Sequence, residues 1–178
     1  APVEGARRLR DRLPTADLAA RLDRVDPALV VCERGTEEAV VAAADAPVAS
    51  LDGTETEAVQ PLMPAGENAS DAVSPARWDR DDTAVVMFTS GTTGEPKGVR
   101  LTLGNLVASA TASAFRLGVD RGDRWLDTLP AFHMGGLAPM IRCPLYGTTL
   151  ALQAEFDATE TAGTLHRYGI TGVSLVPT

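Results

Sequence analysis

Short apolar runs recur along this chain, and the stretches between them carry helical periodicity. The runs fall at 29–32 (LVVC), 48–51 (VASL), 83–88 (TAVVMF), 125–129 (WLDTL), 148–152 (TTLAL) and 172–176 (GVSLV). Most lack the apolar–polar alternation of a half-exposed strand. They read instead as strands covered on both faces, the condition met by a parallel sheet between helices. The helical stretches fit. Residues 17–24 place Leu18, Ala19 and Leu22 on one face and Arg21 and Arg24 on the other. Thr36 is placed to cap a helix over 37–44, with Glu37 and Glu38 in its first turn. Thr102 precedes a helix over 103–116, with Gly118 just past its end. A helix is expected over 136–145 despite Pro139 and Pro144, and another runs from a cap at Asp157 to Tyr168. The expected class is α/β, a mostly parallel sheet flanked by helices. Run 83–88 is its central strand, and 99–101 is a short returning strand.

Residues 52–82 break this rhythm. Pro61, Pro64, Pro75, Gly53 and Gly66 stand among many acids, which predicts a long surface connection. The 178 residues suffice for one domain, or one and a fraction. A net charge of −8 argues against nucleic acid as a partner, because that role needs a basic face. No apolar run reaches spanning length, so no integral membrane segment is expected. The start Ala1-Pro2-Val3-Glu4-Gly5 does not read as a signal peptide. Cys32 and Cys143 sit in no ligand spacing, which predicts buried free thiols in a reducing, cytoplasmic setting. The chain opens without Met and stops at Thr178 directly after a strand-like run, so both ends are expected to be cuts in a longer protein.

Of the sixteen basic residues only Lys97 is a lysine, and it stands in the stretch richest in glycine and hydroxyls. This stretch reads Thr89-Ser90-Gly91-Thr92-Thr93-Gly94-Glu95-Pro96-Lys97-Gly98. Gly91 and Gly94 permit positive φ and close approach of the backbone to a ligand. Thr89, Ser90, Thr92 and Thr93 add hydroxyls to a run of free N–H groups, which together make an anion-binding concavity. Lys97 can reach over a phosphate as a compact point charge. The loop is not a Walker A motif: Pro96 stands five positions after Gly91, and Gly98 rather than Ser or Thr follows Lys97. Nor does it contain G-x-G-x-x-G.

With Phe88 before it and Val99 after it, this stretch resembles the signature phosphate loop of the adenylate-forming superfamily. That group includes acyl-CoA synthetases, peptide-synthetase adenylation domains and luciferases. The resemblance implies that the chain is part of their large N-terminal domain. It implies ATP with Mg²⁺, whose β- and γ-phosphates the loop would hold while a carboxylate attacks the α-phosphate. Coenzyme A would be the acceptor in a second half-reaction. By the same resemblance Thr89, Ser90, Gly91, Thr92, Thr93, Gly94 and Lys97 bind the nucleotide, and Lys97 is catalytic.

A second constellation follows at Leu129-Pro130-Ala131-Phe132-His133-Met134-Gly135-Gly136-Leu137. A lone histidine is more often structural than functional. Here, however, the segment is similar to the superfamily's P-x-F-H-x-x-G, in which the aromatic–His pair borders the acyl pocket and gates ATP access. The resemblance gives Phe132 and His133 that role, with His133 counted as catalytic, and puts Gly135 and Gly136 close to the acyl group. The continuation to Arg142, Tyr146 and Gly147 resembles the corresponding part of the o-succinylbenzoate–CoA ligases of menaquinone synthesis. Their substrate is a dicarboxylate, for which Arg142 is a candidate cation; the spacing leaves a helix-surface arginine equally open. His166, in the helix that ends at Tyr168, is expected at the surface.

The resemblance covers only the middle of the N-terminal domain. The superfamily's adenine-binding segment, ribose-binding Asp, hinge and C-terminal domain have no counterpart here. No metal ligand is therefore named, and this piece is expected to be inactive as an acid–thiol ligase by itself.

Overall fold

The computed structural model describes residues 13–62, 77–89 and 96–176. The chain divides into two compact units, residues 1–77 and 78–178.

In the first unit, helix α1 (Thr15–Val25) follows Pro14 and stops at Asp26, which adopts a left-handed conformation with φ 44°. Strand β1 (Val30–Cys32) leads through a 3-10 turn (Arg34–Thr36) into the short helix α2 (Glu37–Val41). Strands β2 (Val48–Ser50) and β3 (Val59–Pro61) complete a parallel sheet of order β1-β2-β3. The core is Cys32, Val40, Val48 and Val59, with Leu18, Val30, Val41 and Ala44 packed around it.

Two expectations change in this unit. Thr36 makes no side-chain cap; its hydroxyl donates to the Glu33 carbonyl at 2.9 Å, because the 3-10 turn has already started the helical path. The first part of the expected connection 52–82 contains β3 and an anchored lead-in, while its residues 63–76 lie outside the described residues. The buried Glu37 Oε2 accepts from the Glu55 and Thr56 amides at 2.9 and 3.1 Å, which fixes the chain just before β3. A three-residue edge strand closed by proline has too little periodicity to register in the sequence.

In the second unit, β4 (Thr83–Thr89) and β5 (Lys97–Thr102) form an antiparallel pair. Run 83–88 is thus one arm of a hairpin and not the centre of a parallel sheet. The connection between the two strands is short, so the chain turns straight back, whereas parallel pairing needs a long crossover. Helix α3 (Leu103–Leu117) is capped as expected. Thr102 Oγ1 accepts from the Asn105 amide at 3.1 Å, and Asn105 Oδ1 accepts from the Thr102 amide at 3.0 Å. Two orphan donors of the first turn are thereby satisfied.

Strand β6 (Arg124–Asp127), helix α4 (Met134–Tyr146), strand β7 (Thr149–Leu152), helix α5 (Ala158–Arg167) and strand β8 (Gly172–Val173) follow. The sheet is parallel, in the order β7-β6-β8. The expected runs 125–129 and 172–176 are shorter as strands because their last residues leave the sheet as loops. Asp157 Oδ1 caps α5 through the Glu160 amide at 2.7 Å. Cys32 and Cys143 are buried and free, as expected.

From β6 the chain passes through α4 to β7 on one side, then returns through α5 to β8 on the other. With right-handed crossovers, α4 and α5 cover opposite faces. The carboxyl end of β6 lies beside a strand reached in the opposite sense, the kind of place where open α/β sheets bind ligands.

Candidate functional site

Two groups of predicted residues are held by different elements of the second unit. The first stands at the mouth of the β4–β5 hairpin. Thr89 and Lys97 are register partners there, and the Thr89 hydroxyl donates to the Lys97 carbonyl at 3.5 Å. Lys97 is exposed, so its ammonium is available to an anion. Ser90, Gly91, Thr92, Thr93 and Gly94 lie outside the described residues. Gly98 follows immediately; a Cβ there would lie 3.3 Å from Val86 Cγ1 and 3.5 Å from the Phe88 ring, so the hairpin is closely packed at its mouth.

The second group follows the carboxyl end of β6. Phe132 and His133 are exposed, with ring centroids 4.5 Å apart at a tilt of 53°. His133 is the extended residue before α4, and its carbonyl accepts from the Gly136 and Leu137 amides at 3.1 and 2.9 Å. Its own amide donates to the Pro130 carbonyl at 3.0 Å. The imidazole is therefore free of any capping duty, while its backbone is fixed at both ends.

Helix α4 begins at Met134, two residues before the expected start, and this places Gly135 and Gly136 in its first turn. The glycines seat the helix on the preceding turn. A Cβ at Gly136 would lie 2.4 Å from the Leu129 carbonyl oxygen and 2.5 Å from that of Pro130. At Gly135 it would meet Leu129 Cδ1 at 2.8 Å.

Arg142 is not a helix-surface arginine. Its guanidinium carbon lies 3.8 Å from the centroid of the Trp125 ring. One terminal nitrogen donates to Ser113 Oγ at 3.3 Å, whereas Nη2 is buried with no partner among the described residues. The Trp125 ring lies against Gly172 of β8, where a Cβ would come within 2.2 Å of it. His166 is exposed on α5, as expected.

Asp127, the last residue of β6, was not among the predicted residues. It is 3% exposed, and its Oδ1 accepts from the Leu129 amide at 3.2 Å. Burial pushes its carboxyl above the usual range, against the opposing pulls of the Leu129 N–H and the Arg142 charge. The signal was there to read: one acid inside the apolar run WLDTL.

Two surface hollows lie elsewhere. One of about 500 Å³ is lined from α3 and α4 by residues including Phe115 and Leu145. The other, of about 660 Å³, is lined from β7 and α5 by residues including Leu152 and Arg167. Neither contains a predicted site residue. Among the described residues no group of three His, Cys, Asp or Glu side chains could hold a metal ion.

The sequence matches the family described as AMP-binding enzyme over residues 8–178. The chain belongs to the AMP-binding enzyme family. The match spans both the hairpin mouth and the Phe132–His133 pair. Among curated relatives, a 2-succinylbenzoate–CoA ligase of Bacillus pumilus is 44% identical over 101 residues, which is 57% of this chain and 21% of that protein. The enzyme of the same name from Bacillus subtilis is 41% identical over 112 residues, covering 63% of this chain and 23% of the relative. Among solved structures, the o-succinylbenzoate coenzyme A synthetase of Bacillus subtilis in complex with ATP and magnesium ion superposes with a TM-score of 0.73. It is 30% identical and covers 92% of this chain, which corresponds to 32% of that one. The AMP-binding chain thus spans about a fifth of the length of the curated relatives it matches.

Proposed function

We propose that this chain is part of the N-terminal domain of an ATP-dependent acyl-CoA ligase. The enzyme activates a carboxylate as an acyl-adenylate and passes the acyl group to coenzyme A. The substrate in this reading is o-succinylbenzoate, on the route to menaquinone, and the enzyme works in the cytoplasm. The observation that carries the reading is the identity of 44% with a 2-succinylbenzoate–CoA ligase within a family whose phosphate loop this sequence repeats.

The residues fit the chemistry. A carboxylate is a poor electrophile, and a mixed anhydride with AMP gives it a good leaving group. The protein must hold two anions together and balance the charge that collects on the departing pyrophosphate. At the hairpin mouth, Lys97 supplies a mobile ammonium and Thr89 a hydroxyl, a donor set suited to phosphate oxygens. Ser90, Gly91, Thr92, Thr93 and Gly94 complete the cradle in this reading. Magnesium, when bound with ATP, adds further charge neutralisation. Phe132 and His133, presented at the carboxyl end of β6, border the acyl group, and Gly135 and Gly136 let α4 start close beside it. Arg142 of α4 is stacked on Trp125 of β6, the strand that leads to this pair.

The test is carboxylate-dependent exchange of pyrophosphate into ATP by the full-length enzyme across a panel of carboxylic acids. Exchange is expected with o-succinylbenzoate well above fatty and simple aryl acids. Equal or faster exchange with one of those acids would replace the substrate, and none with any acid would remove the ligase reading.

A further inference from the structure

Asp127 is the one buried carboxylate among the described residues of the second unit, and the chemistry above does not use it. It ends β6, and its Oδ1 takes the amide of Leu129, the first bond the chain makes after leaving the sheet. The next bonds are the His133 amide to the Pro130 carbonyl and the Gly136 and Leu137 amides to the His133 carbonyl. Residues 127–137 thus form a continuous ladder from the strand end to the first turn of α4, with Asp127 as its only side-chain rung. From α4 the Arg142 guanidinium stacks on the ring of Trp125, two residues before Asp127 on the same strand.

We propose that Asp127 is a positioning residue, acting through the Leu129 amide to fix the turn that presents Phe132 and His133. Arg142 is then internal, stacked on the strand that Asp127 ends instead of meeting a substrate anion. Two observations favour the internal role. The guanidinium is packed on Trp125 and bonded to Ser113, and Nη2 is buried away from solvent. Trp125 and Asp127 alternate with the buried Leu126 along β6, so they share the sheet face that α4 covers.

The inference rests on the ligase reading only for what the turn presents. Its test therefore has a readout that needs no activity. In the full-length protein, amide hydrogen exchange of residues 128–134 is compared in wild type, Asp127→Asn and Asp127→Ala. Asp127→Asn keeps an acceptor oxygen for Leu129, so exchange there is expected to stay near wild type. Asp127→Ala removes it, and exchange across the turn is expected to speed up about tenfold or more, with α5 unchanged, because local opening of one turn leaves the rest of the unit intact. Adenylation by Asp127→Ala is expected to fall at least about tenfold in kcat with little change in KM for ATP, as misplacement of a positioned group costs rate. Unchanged exchange at 128–134 in Asp127→Ala would overturn the proposal, as would equal acceleration in Asp127→Asn. If Asp127→Ala does not fold, Asp127→Val, which fills the space without an acceptor, serves instead: faster exchange at 128–134 supports the role, and wild-type exchange overturns it. Absence of pyrophosphate exchange in the wild type would defeat the ligase reading alone, leaving the hydrogen-exchange comparison intact.

Discussion

At the scale of single residues, two charges at the second unit's candidate site behave differently because one is in water and the other is not. Lys97 is exposed at the hairpin mouth, so its charge costs little to maintain and is free to follow a moving phosphate. Its contribution should fall on the step where charge develops. For Lys97→Ala in the full-length enzyme, adenylation is expected to slow by roughly 10²- to 10³-fold, the usual cost of losing one charge-stabilising donor. Binding of the carboxylic acid should be largely retained. Rapid-quench measurement of acyl-adenylate formation checks this, and an unchanged rate would refute the role of Lys97. Asp127 is the opposite case. Burial raises its carboxyl above the ordinary range, so the folded chain holds that proton more tightly than the unfolded chain does. Its contribution to stability is full in acid, below about pH 4, and is lost as pH rises through the folded value. Asp127→Asn removes this dependence while keeping the acceptor for Leu129. Relative to wild type, the variant should gain thermal stability as pH rises from about 4 towards 7. A difference in Tm that stays flat across that range would show that the carboxyl is not desolvated.

At the scale of elements, the site depends on how α4 is seated. Its first turn rests on the carbonyls of Leu129 and Pro130 with no room for a side chain at Gly136. Those neighbours are backbone atoms, so an added methyl cannot be absorbed by a rotamer change. Gly136→Ala should cost about 1–3 kcal/mol, the range for overpacking a closed contact. It should also slow adenylation, because the same shift moves His133. Denaturant unfolding together with the exchange assay checks both; a variant of wild-type stability would mean that the helix seats elsewhere. This also explains what could be read from the sequence. The caps at Thr102 and Asp157 were legible because a capping side chain acts within three residues of itself. So was the α/β class, through its non-alternating runs. The antiparallel pairing of β4 was not, because a six-residue apolar run looks the same in a hairpin and in a parallel sheet. Strand β3 escaped because Val59-Gln60-Pro61 is no apolar run and closes on a proline. The two extra residues at the start of α4 escaped because Gly135 looks like a loop residue until the side chain it rests on is known. The stacking of Arg142 on Trp125 joins residues on different elements, and no local pattern announces such a contact.

At the scale of the whole molecule, the described parts are supports for a site more than a site in full. The second unit exposes large apolar side chains where a sheet and helices would be expected to gain cover: Phe115 is 89% exposed, Leu152 and Val176 each 64%. Adenylate formation needs the acid, the nucleotide and the metal held together in the reacting geometry, and the effective molarity that drives it depends on that positioning. The solved relative that holds ATP and magnesium is about three times as long as the part matched here, since 92% of this chain corresponds to 32% of that one. The 178-residue chain by itself is therefore expected to show no carboxylate-dependent exchange of pyrophosphate into ATP. The full-length enzyme should show it under the same conditions. The comparison belongs beside a Lys97→Ala version of the short chain, which sets the background. Exchange by the short chain clearly above that background, and dependent on the acid added, would mean that the hairpin mouth and the Phe132–His133 turn suffice for chemistry. The remaining length of the relatives would then serve the second half-reaction and not the first.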